Sequence, residues 1–285
     1  MLTFVNAKIN LGLRVVSRLP NGYHELETIF YPVGLYNGKP ECPYPFCDML
    51  ELTAAETEMI SIDGAKWPTD KDLTFKAREL FRSLCERKGI EVAPMAIRLE
   101  KHLPVQAGLG GGSADGAFML KMLNKVQDNP LSEDELAKAA LKLGADCPFF
   151  LLNKPALGNG IGEQLTPLQE RLRGLWCVIV KPVENMSTRE AFARITPAKH
   201  SDSLTSIYES DFDVWRKELM NDFEKPFLDL YPHCGALKEG LYASGALYAS
   251  LSGSGASFYG IFSDKESAEK ALHQAEAPFK ALVLL

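Results

Sequence analysis

The stretch Leu103-Pro-Val-Gln-Ala-Gly-Leu-Gly-Gly-Gly-Ser113 decides how the rest of the chain is read, because four glycines stand between two segments of different periodicity. Upstream, Ile97 and Leu99 alternate with Arg98 and Glu100, the period of a strand. Downstream, Ala117, Phe118, Met122 and Leu123 have helical spacing. Consecutive glycines expose amide N–H groups without Cβ interference, and the following helix adds the positive end of its dipole, with Ser113 or Asp115 as the expected cap. Strand, glycine loop and helix in that order make an anion site in outline. The letters match neither GxxxxGK nor GxGxxG, so a tight turn ahead of a helix stays open as the plainer alternative.

Toward the N-terminus, Val5, Ala7, Ile9, Leu11, Leu13 and Val15 alternate with Asn6, Lys8, Asn10, Gly12 and Arg14, which predicts a half-buried strand with Lys8 and Asn10 side by side on its polar face. Leu19-Pro-Asn-Gly22 carries turn chemistry and precedes Tyr23 and His24. Residues 37–47, with three prolines and Cys42 and Cys47, read as an irregular insertion, and Asp72 to Lys88 as an amphipathic helix. Toward the C-terminus, Ser132 to Glu135 is a capping box, and Asp146-Cys-Pro148 opens the next element, where Asp146 suits a helix N-cap. Gly158 to Gly162 reads as a turn or hinge, Trp176 to Val180 as a strand, and Asp213 to Glu224 and Cys234 to Ala243 as helices. A strand over residues 250–257 and a helix over 263–275 complete the expectation.

Composition narrows the class. At 285 residues, 46% hydrophobic and 24% charged, the chain is an ordinary globular one with room for two domains. Its net charge of −6 argues against nucleic acid or an anionic membrane as partner, and requires any bound phosphate to be held by local dipoles and a few placed cations. Six scattered cysteines without metal-like spacing, and no long apolar run, point to reduced thiols in a cytoplasmic protein.

Four blocks together, Asn6-Ala-Lys-Ile-Asn-Leu11, Pro104 to Ala114, Gly144-Ala-Asp-Cys-Pro-Phe149 and Leu251-Ser-Gly-Ser-Gly-Ala256, resemble the motifs of the GHMP kinases in order and over nearly the whole chain. Arg18 to Glu25 and Gly158 to Glu163 bring the resemblance to the branch whose acceptor is a cytidine-diphosphate-linked methylerythritol. Asn6 departs from the usual proline, Asn21 from aspartate, and Gln106 from a small residue.

The resemblance implies an α+β, two-domain GHMP-kinase fold: an N-terminal nucleotide-binding domain over residues 1–157 and a C-terminal ferredoxin-like domain over 158–285, with ATP and Mg²⁺ in the cleft between them. It implies Lys8 and Asp146 as catalytic residues, Asp146 as base. Pro104, Val105, Gln106, Ala107, Gly108, Leu109, Gly110, Gly111, Gly112, Ser113 and Ala114 become the nucleotide cradle. Asn10, Tyr23 and His24 are implied for the cytidine end of the substrate, with Tyr31 and Phe192 as further stacking residues and Gly253, Ser254 and Gly255 as a second anion-binding turn. No metal ligand is assigned. The implied reaction is ATP-dependent phosphorylation of the acceptor's 2-hydroxyl, on the non-mevalonate route to isoprenoid precursors, by a monomer or weak homodimer. A homoserine or mevalonate kinase of the same superfamily is the near alternative. A non-catalytic nucleotide-binding protein is the distant one, for which Lys8 would be a surface lysine and Asp146 only a cap.

Overall fold

The computed structural model describes residues 1–34 and 46–285. Its strands are β1 (Leu2–Arg18), β2 (His24–Val33), β3 (Cys47–Ala54), β4 (Met59–Asp63), β5 (Met95–Glu100), β6 (Ala156–Asn159), β7 (Gln164–Pro167), β8 (Trp176–Lys181), β9 (Tyr248–Leu251), β10 (Phe258–Phe262) and β11 (Phe279–Leu284). Its helices are α1 (Leu73–Arg87), α2 (Gly111–Val126), α3 (Glu133–Leu143), α4 (Cys147–Leu152), α5 (Thr188–Ala193), α6 (Leu204–Glu209), α7 (Phe212–Glu218), α8 (Glu224–Leu230), α9 (Gly235–Ala243) and α10 (Lys265–Gln274). Two compact units interleave along the chain: Met1–Ala7, Cys47–Leu103 and Gly110–Asn153 form the first, and Lys8–Phe46, Pro104–Leu109 and Lys154–Leu285 the second. Most of the expected insertion, with Cys42, lies outside the described residues, while Cys47 opens β3 and is buried.

In the first unit, β4 runs parallel to β5, and β5, β3 and the opening residues of β1 pair antiparallel. Asp72 Oδ1 accepts the Thr74 N–H at 2.8 Å to start α1, whose buried side carries Ala77, Phe81 and Cys85. The expected capping box opens α3, with the Ser132 N–H donating to Glu135 at 2.8 Å and the Glu135 N–H to Ser132 Oγ at 3.3 Å. Gly116 lets α2 lie against its neighbours, since a Cβ there would stand 3.2 Å from Leu73 Cβ and 3.4 Å from Leu143 Cδ1.

In the second unit, β2 pairs with β6 and β6 with β7, the latter joined through the turn expected at Gly158 to Gly162. The Gly22 N–H donates to Leu19 O at 3.0 Å, and Gly22 takes φ +86° in the turn that links β1 to β2. A second sheet has the antiparallel order β11-β8-β10-β9, the fourth, first, third, second arrangement of a ferredoxin-like domain. Val180, Leu251, Phe258 and Phe262 from this sheet join Leu241 and Ala268 from α9 and α10 in one apolar core.

Three expectations need correction. β1 is not half-buried: Lys8, Asn10 and Arg14 are buried as well, because Asn10 Nδ2 reaches Thr28 Oγ1 at 2.9 Å and Arg14 reaches Glu27 at 3.1 Å, so the polar face is satisfied inside the protein. The helix expected over 213–224 is two helices, α7 and α8, separated at Asn221, whose side chain takes the Phe223 N–H at 2.9 Å. The strand expected over 250–257 is the β9–β10 hairpin, with Gly253 at φ +56° and Gly255 at φ +94° in its turn. Among the described residues no helix is long and apolar enough to cross a membrane.

Candidate active site

The second half of the glycine loop belongs to the first unit. Gly110, at φ +70°, precedes α2, no side chain caps this helix, and its first internal bond runs from the Ala114 N–H to Gly110 O at 2.8 Å. The amides of Gly111, Gly112 and Ser113 therefore lead the helix at the positive end of its dipole. The expected cap by Ser113 or Asp115 is corrected: Ser113 lies inside the first turn, and Asp115 is fully buried and paired with Lys101, which also pairs with Asp48. A carboxylate engaged in that way is withdrawn from capping.

Ser113 instead touches the segment around Asp146. Its hydroxyl lies 3.9 Å from where a Cβ at Gly144 would be. Burial pushes the Cys147 thiol up to about 12, so this cysteine stays protonated. Asp146 is half-buried at the head of α4, two residues before Pro148, yet its carboxylate caps no amide of that helix. Capping does not account for it. Asn6 and Asn153 exchange side-chain hydrogen bonds of 3.1 and 2.9 Å, tying the start of β1 to the end of α4.

The first half of the loop belongs to the second unit, which also contains Lys8, Asn10 and the β9–β10 turn. Lys8 is buried, donates from Nζ to Asn10 Oδ1 at 2.5 Å and stands 5.4 Å above the Phe30 ring. Three loop carbonyls have partners: Ala107 O accepts the Ser257 N–H at 3.1 Å, Gly108 O accepts Ser252 Oγ at 2.9 Å, and Leu109 O accepts the Lys8 N–H at 2.9 Å. A Cβ at Gly253 would lie 3.1 Å from Gly108 O and 3.5 Å from Asn10 Oδ1, so Lys8, Asn10, Gly108 and Gly253 are brought together. Ser254 and Gly255 complete the same turn, where the Gly255 N–H donates to Ser252 O at 3.0 Å. Gln106 takes φ +51° with an exposed side chain.

His24 and Phe192 stack with ring centroids 4.7 Å apart and planes 16° from parallel, and Phe192 meets Phe223 edge-on at 4.9 Å. Tyr23, beside His24, is 60% exposed. Tyr31 is a correction: Thr28 and Phe30 lie on the face of β2 that meets Asn10 and Lys8, and alternation turns Tyr31 to the other face, where it is buried. Burial, with Glu170 nearby, raises its phenol above the usual range.

An uncapped helix start behind consecutive glycines fits a polyphosphate. Mg²⁺ needs oxygen donors, which the Ser113 hydroxyl and the Asp146 carboxylate carry, while Asp48 and Asp115 are engaged with Lys101. A distant group, Glu184, His233 and Cys234, has the wrong donors for Mg²⁺, and both Glu184 oxygens are already engaged, by His233 at 2.8 Å and by Cys234 at 3.6 Å.

Sequence reading missed Asp48, Lys101, Thr28 and Asn221. Asn221 Nδ2 donates to Leu251 O at 2.8 Å and to Gly253 O at 2.9 Å, and so holds the β9–β10 turn. Only Thr28 had a signal, the alternation within residues 24–33.

Known proteins are similar to this chain in sequence and fold. Residues 73–154 match the family described as GHMP kinases N terminal domain, and residues 203–281 the one described as GHMP kinases C terminal. A 4-diphosphocytidyl-2-C-methyl-D-erythritol kinase of Bacteroides thetaiotaomicron is 43% identical over 262 residues, 92% of either chain. One of Parabacteroides distasonis is 40% identical over 264 residues, again 92% of either chain. The crystal structure of a 4-(cytidine 5'-diphospho)-2C-methyl-D-erythritol kinase is similar with a TM-score of 0.80 at 28% identity, covering 99% of this chain and 98% of that one. With identity of this size along almost its full length, the chain belongs to the GHMP kinases, in the family of 4-diphosphocytidyl-2-C-methyl-D-erythritol kinases.

Proposed function

We propose that this kinase transfers the terminal phosphoryl group of ATP to the 2-hydroxyl of 4-diphosphocytidyl-2-C-methyl-D-erythritol, on the non-mevalonate route to isoprenoid precursors, as a cytoplasmic monomer or weak homodimer. The observation that carries the choice of acceptor is the stack of His24 on Phe192 beside the exposed Tyr23. Flat rings and an imidazole suit a pyrimidine base, and neither homoserine nor mevalonate has one.

ATP brings the phosphoryl group and Mg²⁺ the counter-charge for its phosphates. The amides that lead α2 bind phosphate oxygens, with the loop residues 104–114 as cradle and the turn at Gly253, Ser254 and Gly255 as a second set of donors. Asp146, half-buried at the head of α4, accepts the proton of the attacking hydroxyl. The Lys8 ammonium, oriented by Asn10 and Phe30, offsets charge that develops on the transferred group.

The test is to incubate the protein with ATP, Mg²⁺ and, separately, the cytidyl acceptor, homoserine or mevalonate, and to measure ADP. Turnover is expected with the cytidyl compound alone. Asp146→Asn is expected to lower kcat by about 10²- to 10⁴-fold with KM for ATP within about twofold. Equal turnover of homoserine or mevalonate would remove the assigned acceptor, and an active Asp146→Asn variant would remove the assigned base.

A further inference from the structure

We propose that Lys101, clamped between Asp48 and Asp115, is a positioning residue that holds both flanks of the glycine loop in place and thereby sets its grip on the nucleotide; this rests on reading that loop as the ATP site. All three groups lie in the first unit, with side chains 5%, 0% and 0% exposed for Lys101, Asp48 and Asp115. Lys101 directly follows β5 at the entry to the loop, Asp115 lies early in α2 at its exit, and Asp48 is on β3. The ammonium donates to one oxygen of each carboxylate. The other Asp48 oxygen accepts the N–H groups of His102 and Leu103, the latter at 2.7 Å. One carboxylate thus fastens the entry segment to the sheet, and one ammonium fastens the helix to both.

The clamp sits directly beneath the start of α2: a Cβ at Gly111 would be 3.8 Å from Lys101 Nζ and 3.4 Å from Leu103 Cβ. A buried cluster of two carboxyl groups and one ammonium is costly to take out of water, and apolar side chains of similar volume would serve stability at least as well. Short charge-assisted bonds provide what apolar contacts do not, a defined separation between the groups they join. Burial, reinforced by the charge of Asp48, raises the Asp115 carboxyl well above its usual range despite Lys101. Burial opposes the charge on Lys101, and its two carboxylates outweigh that, so its pKa lies above the ordinary value. Asp115 Oδ1 is buried with no hydrogen-bond partner, so the bond from Lys101 to Oδ2 is what orients this carboxyl.

The experiment compares the wild type with Asp115→Asn and Asp48→Asn, substitutions that keep shape and one acceptor oxygen. Calorimetric titration with ATP and Mg²⁺ reads affinity, and hydrogen–deuterium exchange of peptides covering residues 101–120 reads the loop and its flanks. Each folded variant is expected to bind ATP about tenfold more weakly, the value of one hydrogen bond to a charged group, and to exchange those amides faster. KM for the acceptor should stay within about twofold. Wild-type affinity and exchange in a folded variant would overturn the proposal, and so would two variants that fail to fold, since the clamp would then be a folding element. A wild type that bound no ATP would defeat the proposed function, and the exchange data would still decide whether the clamp orders the loop.

Discussion

Replacing Gly108 by alanine asks how tightly the first half of the glycine loop is built into the second unit. The residue sits at φ +73°, and a Cβ on it would lie 1.9 Å from the carbonyl oxygen of Ser252 and 2.8 Å from its carbon. The left-handed conformation costs an alanine about 1–2 kcal/mol. The clash is with main chain, and Ser252 is anchored by its N–H to Ser257 O at 2.8 Å and by its hydroxyl to Gly108 O at 2.9 Å, so relief requires a backbone shift. Overpacking of that kind costs about 1–3 kcal/mol, which brings the total to about 2–5 kcal/mol. At about 2 °C per kcal/mol for a chain of this size, Gly108→Ala is expected to melt about 4–10 °C lower by calorimetry, and to bind ATP more weakly. Gly112→Ala is the control: its nearest neighbour is Leu73 Cδ1 at 3.9 Å and it lies inside a helix, where alanine is favoured by about 0.5–1 kcal/mol. A Gly108→Ala melting point within about 1 °C of the wild type would refute the reasoning.

Phe192→Ala removes the ring that stacks on His24, and a stack worth about 0.5–1.5 kcal/mol translates to a rise of about 2- to 13-fold in KM for the cytidyl acceptor, with KM for ATP unchanged. Steady-state kinetics with both substrates varied checks this, and an unaltered acceptor KM in a folded variant counts against the assigned base site. Glu135 is held below its ordinary 4.5 by the Ser132 N–H and by Lys88, so its contribution is full above that value and fades as pH falls through the lowered one. Glu135→Gln should therefore melt below the wild type at pH 7 and converge with it as the pH falls through the lowered value, whereas a gap that persists in strong acid would assign its role to packing.

Much of the scaffold was legible because local chemistry dictates it. The strand at β1, the helix that α1 forms and the Ser132 capping box each depend on near neighbours in sequence, and all three appear where expected. The glycine loop was legible for the same reason, and its place between β5 and α2 follows from a change of period. What escaped depends on pairing across long sequence distances. Asp48 and Lys101 are 53 residues apart, and nothing near either one marks it as half of a buried pair. Asn221 looked like a residue inside a helix because its role, holding the Leu251 and Gly253 carbonyls, exists only once β9 has folded against it. Tyr31 was misassigned although its phase was readable: it alternates out of step with Thr28 and Phe30, the residues that meet Asn10 and Lys8.

The partners of the loop carbonyls at Ala107, Gly108 and Leu109 have an electrostatic corollary. In a planar trans peptide the N–H points opposite to the C=O, so fixing the oxygens of residues 107, 108 and 109 also fixes the directions of the hydrogens of residues 108, 109 and 110. Those peptide dipoles are set by the surrounding protein before any ligand arrives, so on the proposed reading of the loop as the nucleotide cradle an anion there would meet dipoles that need not rotate to receive it.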